Sequence, residues 1–216
     1  MESRDVEWNR STFEPQRLLA ARAASWALLD DAWALLTPGM SSLEARVRID
    51  ALLLARTGSR PWHPTQVRFD AETMLPFGAR PEEANVLRAD SVAFIDMGPL
   101  VDGYEGDVAA TRSANGSAHP LGSAAENLHH EIVGHWKRHR PSGRALYTHA
   151  EERARMMGYE LATRGASGHR LADHPHEVRG QLRALDRCPR ACAWVLEIQL
   201  LDRTRGIGAF YEDLLV

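Results

Sequence analysis

Apolar residues recur at three- and four-residue intervals over the first sixty positions. Leu19, Ala23, Trp26, Leu29, Trp33 and Leu36 predict one amphipathic helix over residues 15 to 37, with Pro15 in its first turn and Thr37-Pro38-Gly39 as its stop. Ser41 with Glu44 forms a capping-box pattern, and Leu43, Val47, Ala51 and Leu54 carry a second helix to Gly58. Beyond Pro61 and Pro64 the runs become strand-like: VRF at 67 to 69, SVAFID at 91 to 96, then FIDMGPLVDGYEGDVAAT, two short apolar strands around a Gly-rich turn. A loop over 112 to 121 precedes a third helix at about 122 to 138. Thr148 with Glu151 predicts the cap of a fourth helix running to Gly165, and AWVLEIQLL at 193 to 201 and GAFYEDLLV at 208 to 216 return to strands. Two helices followed by strands therefore occur twice, and Leu54-Ala55-Arg56-Thr57-Gly58 is echoed by Leu161-Ala162-Thr163-Arg164-Gly165. The expected fold class is α+β, with two structural halves sharing one antiparallel sheet in a single domain over 1–216, since no linker interrupts the chain.

Four carboxylates disturb this pattern. Asp96 and Asp107 lie in strands marked as core-forming by Phe94, Ile95 and Val108, where an unpaired carboxylate is costly. If Val101-Asp102 is the hairpin tip, Asp96 lies opposite Asp107; if Asp102-Gly103 is a type I′ turn, Asp96 pairs with Ala109 and Asp107 is its diagonal neighbour. Either register puts both carboxylates on one face, within about 5 to 8 Å, where like charges repel unless a proton or a cation lies between them. Glu197 between Leu196 and Ile198, and Glu212 in FYEDLLV, break two further apolar strands, and GHRLADHPHE adds His169, His174 and His176. Hard oxygen donors with one or two imidazoles and no thiolate suit a carboxylate-bridged pair of Mn²⁺, Fe²⁺, Co²⁺ or Zn²⁺ ions rather than a structural zinc.

Composition narrows the rest. With 216 residues and a formal net charge of −3, the chain has no field that would draw nucleic acid or an anionic membrane surface. No run approaches the roughly 20 apolar residues that span a bilayer, and the charged start MESRDVEWNRSTFEPQR has no signal-type segment, so a cytoplasmic location is expected. Cys188 and Cys192 are too few for a disulfide framework and read as idle thiols. His130, Glu131, His135 and His139 read as a solvated helix face, because their spacing misses the zinc-helix pattern. His63 in PWHPT sits in a loop that can reach the carboxylates but reads first as a turn residue. Glu105 shares the parity of Asp107, and Asp102 beside Gly103 reads as a turn.

The ordered set D-x-G at Asp96, G-Y-x-x-D ending at Asp107 with Thr111 four residues on, Gly168-His169 with His176-Glu177 seven to eight residues later, a strand Glu197, and G-I-G-x-x-x-E-D around Glu212 resembles the methionine aminopeptidase, aminopeptidase P and creatinase family. Nearest are aminopeptidase P-like proteins without their N-terminal domain. The resemblance implies a pita-bread fold, a pseudo-twofold antiparallel sheet with helices packed on its outer face. It implies a dinuclear metal-dependent hydrolase that cleaves an N-terminal peptide or related amide bond of a small peptide, with a homodimer left open. Carried over residue by residue, Asp96 would be a terminal ligand of one ion, Asp107 and Glu212 bridging ligands, and His169 a ligand of the other ion. Glu197 would bind that second ion beside the attacking water and act in catalysis, and His176 would contact substrate and stabilise the tetrahedral intermediate. Tyr104 and Thr111 fall where the family has supporting groups. The chain departs from the pattern on the substrate side: LPFGARPEEAN lacks the histidine the family places there, Ile198 replaces a proline, and Phe210 stands where aminopeptidase P proteins have an arginine. These departures raise a second reading, a metal-dependent non-peptidase enzyme on a small amino-acid-like substrate. A third is a binding module without catalysis.

Overall fold

The structure, a computed structural model, describes residues 5–79 and 85–216. Helix α1 (Pro15–Trp33) opens with the expected proline but ends four residues early, at Trp33. Helix α2 (Ser42–Thr57) is capped as expected, with the Ser41 side chain accepting from the Glu44 amide and Gly58 closing the last turn at φ 71°. The buried stripes differ from expectation in part. In α1 they keep Leu29 and Trp33 of the expected row, with Leu36 just beyond the helix, and add Leu18, Ala21, Ser25, Leu28 and Ala32; Leu19 and Trp26 are half-buried and Ala23 is exposed. In α2 they run through Ala45, Ile49 and Leu53, whereas Leu43, Val47 and Leu54 are 60%, 61% and 45% exposed. Each helix carries apolar residues on more than one face, so periodicity admitted two stripes and packing against the sheet selected one.

Strands β1 (Gln66–Phe69), β2 (Val92–Met97), β3 (Leu100–Val101), β4 (Tyr104–Glu105) and β5 (Val108–Ser113) complete the first half. Val101 pairs with Tyr104, and Asp102 and Gly103 take φ of 48° and 78°, the backbone of a type I′ turn. Helix α3 (Pro120–His139) follows. Helix α4 (Gly143–Met156) begins and ends earlier than the sequence suggests. Its cap is Ser142, whose hydroxyl accepts from the Ala145 amide at 3.2 Å, while the Thr148 hydroxyl donates inside the helix to the Arg144 carbonyl. Gly158, at φ 85°, breaks the chain away from helical geometry, and Glu160–Leu161 forms strand β6. The echo at Leu161–Gly165 therefore begins on the last residue of a strand and not in a helix, and is no structural repeat of Leu54–Gly58.

Strands β7 (Val195–Asp202) and β8 (Ile207–Leu214) close a six-stranded sheet in the order β1-β2-β5-β8-β7-β6, every pair antiparallel. Three strands lie on each side of the β5/β8 seam, and each trio is accompanied by a helix pair, which gives the pseudo-twofold layout. The ladder across the seam is reduced to the pair Ala109 and Glu212. Thr111 reinforces it: its hydroxyl accepts from the Phe210 amide at 2.7 Å and donates to the Phe210 carbonyl at 3.0 Å.

Alternation along these strands sorts the two faces. Ile95, Ala110, Ile198, Leu200 and Tyr211 join the apolar core shared with all four helices. Phe94, Thr111, Gln199 and Phe210 occupy the other face, with the four carboxylates among them. Among the described residues no helix is long and apolar enough to cross a membrane.

Candidate metal centre

Pairing registers line up the acidic residues before any side-chain rotamer is considered. Asp96 is opposite Ala109, Ala109 opposite Glu212, and Glu212 opposite Glu197, one row crossing β2, β5, β8 and β7. Neighbouring strands are about 4.8 Å apart, so Asp96 and Glu212 flank a gap of two strand spacings whose middle position is an alanine. Asp107, two residues before Ala109 and on the same face, is the diagonal neighbour that fills it. The four carboxylates predicted as ligands are thus brought together by the sheet itself. Asp96, Asp107, Glu197 and Glu212 are all at most 7% exposed.

Two loops supply imidazoles. His169 Nε2 lies 3.1 Å from Asp107 Oδ2, 3.2 Å from Glu212 Oε1 and 3.9 Å from Glu197 Oε1. Its Nδ1 faces the Arg170 carbonyl at 2.9 Å. The Gly168 amide donates to Glu197 Oε2 at 2.6 Å, which leaves Oε1 for the site. His63, read from sequence as a turn residue, is instead part of the cluster: its Nε2 is 3.0 Å from Asp107 Oδ1 and 3.9 Å from Asp96 Oδ1. The signal was present in register. Gln66 pairs with Asp96, so the chain before Gln66 must run past the residues after Asp96, and the Trp62 amide indeed donates to the Gly98 carbonyl at 2.9 Å. Donor atoms of His63, Asp96 and Asp107 lie within 4.8 Å of one another, as do those of Asp107, His169 and Glu212.

The remaining histidines divide. Glu105 does not face this cluster, as its parity had allowed. It is buried and accepts from His176 Nδ1 at 2.7 Å and His174 Nδ1 at 3.0 Å, with the Ala172 amide as a further donor. His176 keeps its Nε2 for the cavity that it lines. Trp62 packs edge-on against both His169 and His176, with ring centroids 5.7 Å apart in each case. Tyr104 lies away from the carboxylates, its hydroxyl accepting from the Glu14 amide. His129 is buried on α3, His135 and His139 belong to that helix's outer turns, and none of them approaches the cluster. The stretch LPFGARPEEAN lies partly outside the described residues.

By themselves these groups are in electrostatic conflict. Burial, with Asp107 and Glu197 adding repulsion, pushes Asp96 up to about 7 despite His63. Burial and the same two neighbours hold Glu212 well above the carboxylate range, and burial raises Glu197. Asp107, although burial opposes it, is brought down to about 2 by His63 and His169, which sit against its two oxygens. Those carboxylates overcome the burial of His63 and raise it to about 9, and lift His169 likewise. Asp96 Oδ1 and Asp107 Oδ2 are buried without a hydrogen-bond partner among the described residues. Orphaned anionic oxygens beside imidazole nitrogens are a donor set that divalent cations satisfy, so the residues fit the ions the sequence implied. The cluster forms the floor of a cavity of about 510 Å³, walled by Trp62, Phe77, Pro175 and Arg179.

A pseudo-twofold antiparallel sheet with helices outside and a carboxylate–imidazole cluster inside is the pita-bread architecture of a class of metal-dependent hydrolases. The chain belongs to metallopeptidase family M24, whose model matches residues 16–216. Solved structures with the same fold include an X-Pro aminopeptidase from Thermotoga maritima MSB8 (TM-score 0.72, 17% identity, 91% of this chain and 56% of that one). A prolidase from Pyrococcus horikoshii OT3 gives a TM-score of 0.69 at 17% identity, covering 92% of this chain and 57% of the other. The Xaa-Pro dipeptidase from Bacillus anthracis gives 0.70 at 18% identity, covering 93% and 57%. The chain spans little more than half the length of these proteins, and at such identity the likeness is one of fold. No curated protein matches the sequence.

Proposed function

We propose that residues 1–216 form one catalytic domain that hydrolyses the N-terminal peptide bond, or a related amide bond, of a small peptide with two divalent ions. The observation that carries this reading is the row of Asp96, Glu212 and Glu197 across adjacent strands, with Asp107 in the gap and His169 against it. Asp96 would hold one ion and His169 and Glu197 the other, with Asp107 and Glu212 between them; Mn²⁺, Fe²⁺, Co²⁺ and Zn²⁺ all suit such donors. Ions held there supply Lewis acidity and lower the pKa of water towards neutrality. Glu197, oriented through Oε2 by the Gly168 amide, would take the proton of the attacking water and pass it to the leaving amine. His176, fixed through Nδ1 by Glu105, would donate from Nε2, when protonated, to the oxygen that becomes negative as the carbonyl is attacked. Trp62 and Phe77 would exclude solvent, and exposed Arg179 on the cavity wall offers a charge for a substrate carboxylate.

The test is reconstitution of chelator-stripped protein with each of the four metals against dipeptides, X-Pro peptides and amino-acid amides. Metal-dependent cleavage that falls by about 10²–10⁴ in Glu197→Gln supports the reading. Absence of hydrolysis on the whole panel, in protein that has taken up metal, overturns it. A second reading is favoured by the apolar residue Phe210 and the missing family histidine on the substrate side: a non-peptidase reaction at the same ions on a small amino-acid-like compound. Cleavage of ordinary dipeptides, abolished by Asp107→Ala, dismisses it.

A further inference from the structure

We infer that His63 is a metal ligand, so that each of the two ions has an imidazole of its own: His63 on the Asp96 side of Asp107 and His169 on the Glu212 side. This rests on the dinuclear reading above and adds to the ligand set that the sequence implied.

The two oxygens of Asp107 face opposite ways. Oδ1 is 3.0 Å from His63 Nε2, and Oδ2 is 3.1 Å from His169 Nε2. A bridging carboxylate gives one oxygen to each ion, so an imidazole set against each oxygen belongs to a different ion. The two histidines are held by the same device. His63 Nδ1 faces the carbonyl of the next residue, Pro64, at 3.2 Å, and His169 Nδ1 faces that of its own successor, Arg170, at 2.9 Å. That contact holds a ring hydrogen on Nδ1, so an ion that displaces the proton from Nε2 meets a lone pair directed at Asp107, as in ligating histidines generally. The 3.0 Å approach of this nitrogen to the carboxylate needs a positive centre between them, a proton in the metal-free protein or an ion in its place, and the buried Asp96 Oδ1, without a hydrogen-bond partner among the described residues and 3.9 Å from the same Nε2, completes a three-donor corner.

The chain is also shaped to admit this ring. Gly98 lies directly beneath it: a Cβ there would be 2.2 Å from His63 Cδ2 and 2.4 Å from Nε2. Trp62 fixes the loop from the other side, its amide on the Gly98 carbonyl and its indole N–H on the Gly106 carbonyl at 2.8 Å, and its ring stands edge-on to His63 with centroids 4.7 Å apart. The His63 side chain is only 11% exposed. A nitrogen donor at that ion shifts its preference from Mn²⁺ towards Fe²⁺, Co²⁺ and Zn²⁺.

The experiment titrates metal-stripped protein with Co²⁺, followed by calorimetry and by the visible absorption of the ion, for the natural chain, His63→Ala and His63→Gln. The natural chain takes two ions; both variants retain one tight ion while the other is weakened by about tenfold or more, with a changed absorption band. Unchanged affinities in both variants overturn the proposal and leave the dinuclear reading intact; a natural chain that never takes two ions overturns both. A measurement that needs no variant uses imidazole-¹⁵N-labelled protein and Zn²⁺. Two of the 10 histidines shift their Nε2 signals into the metal-bound range if His63 ligates, and one alone contradicts it.

Discussion

The two faces of the central sheet are made by the same strands and do opposite things. Along β7, Leu196 and Ile198 point outward into the core under the helices, while Glu197 between them points inward to the cluster. The outward residues gain stability by leaving water. The inward residues lose it, since burial and mutual repulsion hold the pKa values of Asp96 and Glu212 above the ordinary carboxylate range, and a bound cation turns that cost into affinity. One face holds the fold, and the other uses the fold to keep charges together that would otherwise separate.

Substitutions should part the two faces. Ile198→Ala, fully buried on the outer face, should destabilise the protein by about 2–5 kcal/mol in denaturant melts while the number of bound ions stays unchanged. On the inner face, chelation at an initial metal concentration a thousandfold above Kd should remove about 4 kcal/mol of stability, read as a fall in melting temperature that metal restores. Glu105→Gln should cost about 1.5–3 kcal/mol through weakened bonds to His174 and His176. It should lower kcat more than metal content, because the ions do not depend on it. Glu105 is held below its ordinary 4.5 by these histidines in spite of burial, so its contribution is present above that pH and is lost as pH falls through the folded-state value. The variant's acid limb should accordingly be flatter.

The smallest effect is the pH dependence of metal-free protein. His63 near 9 and Asp96 near 7 are raised above their unfolded values of 6.5 and 3.8, so the native state binds more protons and stability should rise as pH falls from about 9 to about 6. Melting curves at several pH values check this. Metal-loaded protein should lack that rise, because ions displace those protons.

Much of this was legible in the sequence because a strand's period of two makes an acidic residue in an apolar run conspicuous. Glu197 and Glu212 stand out for that reason, and the turn preference of Asp102-Gly103 set the register that aligns Asp96 with Ala109. Helical stripes were less legible: Leu43, Val47 and Leu54 form as regular a row as Ala45, Ile49 and Leu53, and only the sheet beneath decides between them. The start of α4 was missed because Thr148 and Glu151 mimic a cap inside a helix that Ser142 had already opened. His63 was missed because nothing local distinguishes a turn histidine from one that a neighbouring strand carries to the site; Gly98, thirty-five positions on, makes its room.

The central claim is that the inner face is a site for two metal ions centred on Asp107. Its most direct test is the number of divalent ions per chain after equilibrium dialysis of stripped protein, for the natural chain and for Asp107→Asn. Two ions in the first and at most one in the second is the expected result; none in the first, or equal numbers in both, would contradict it.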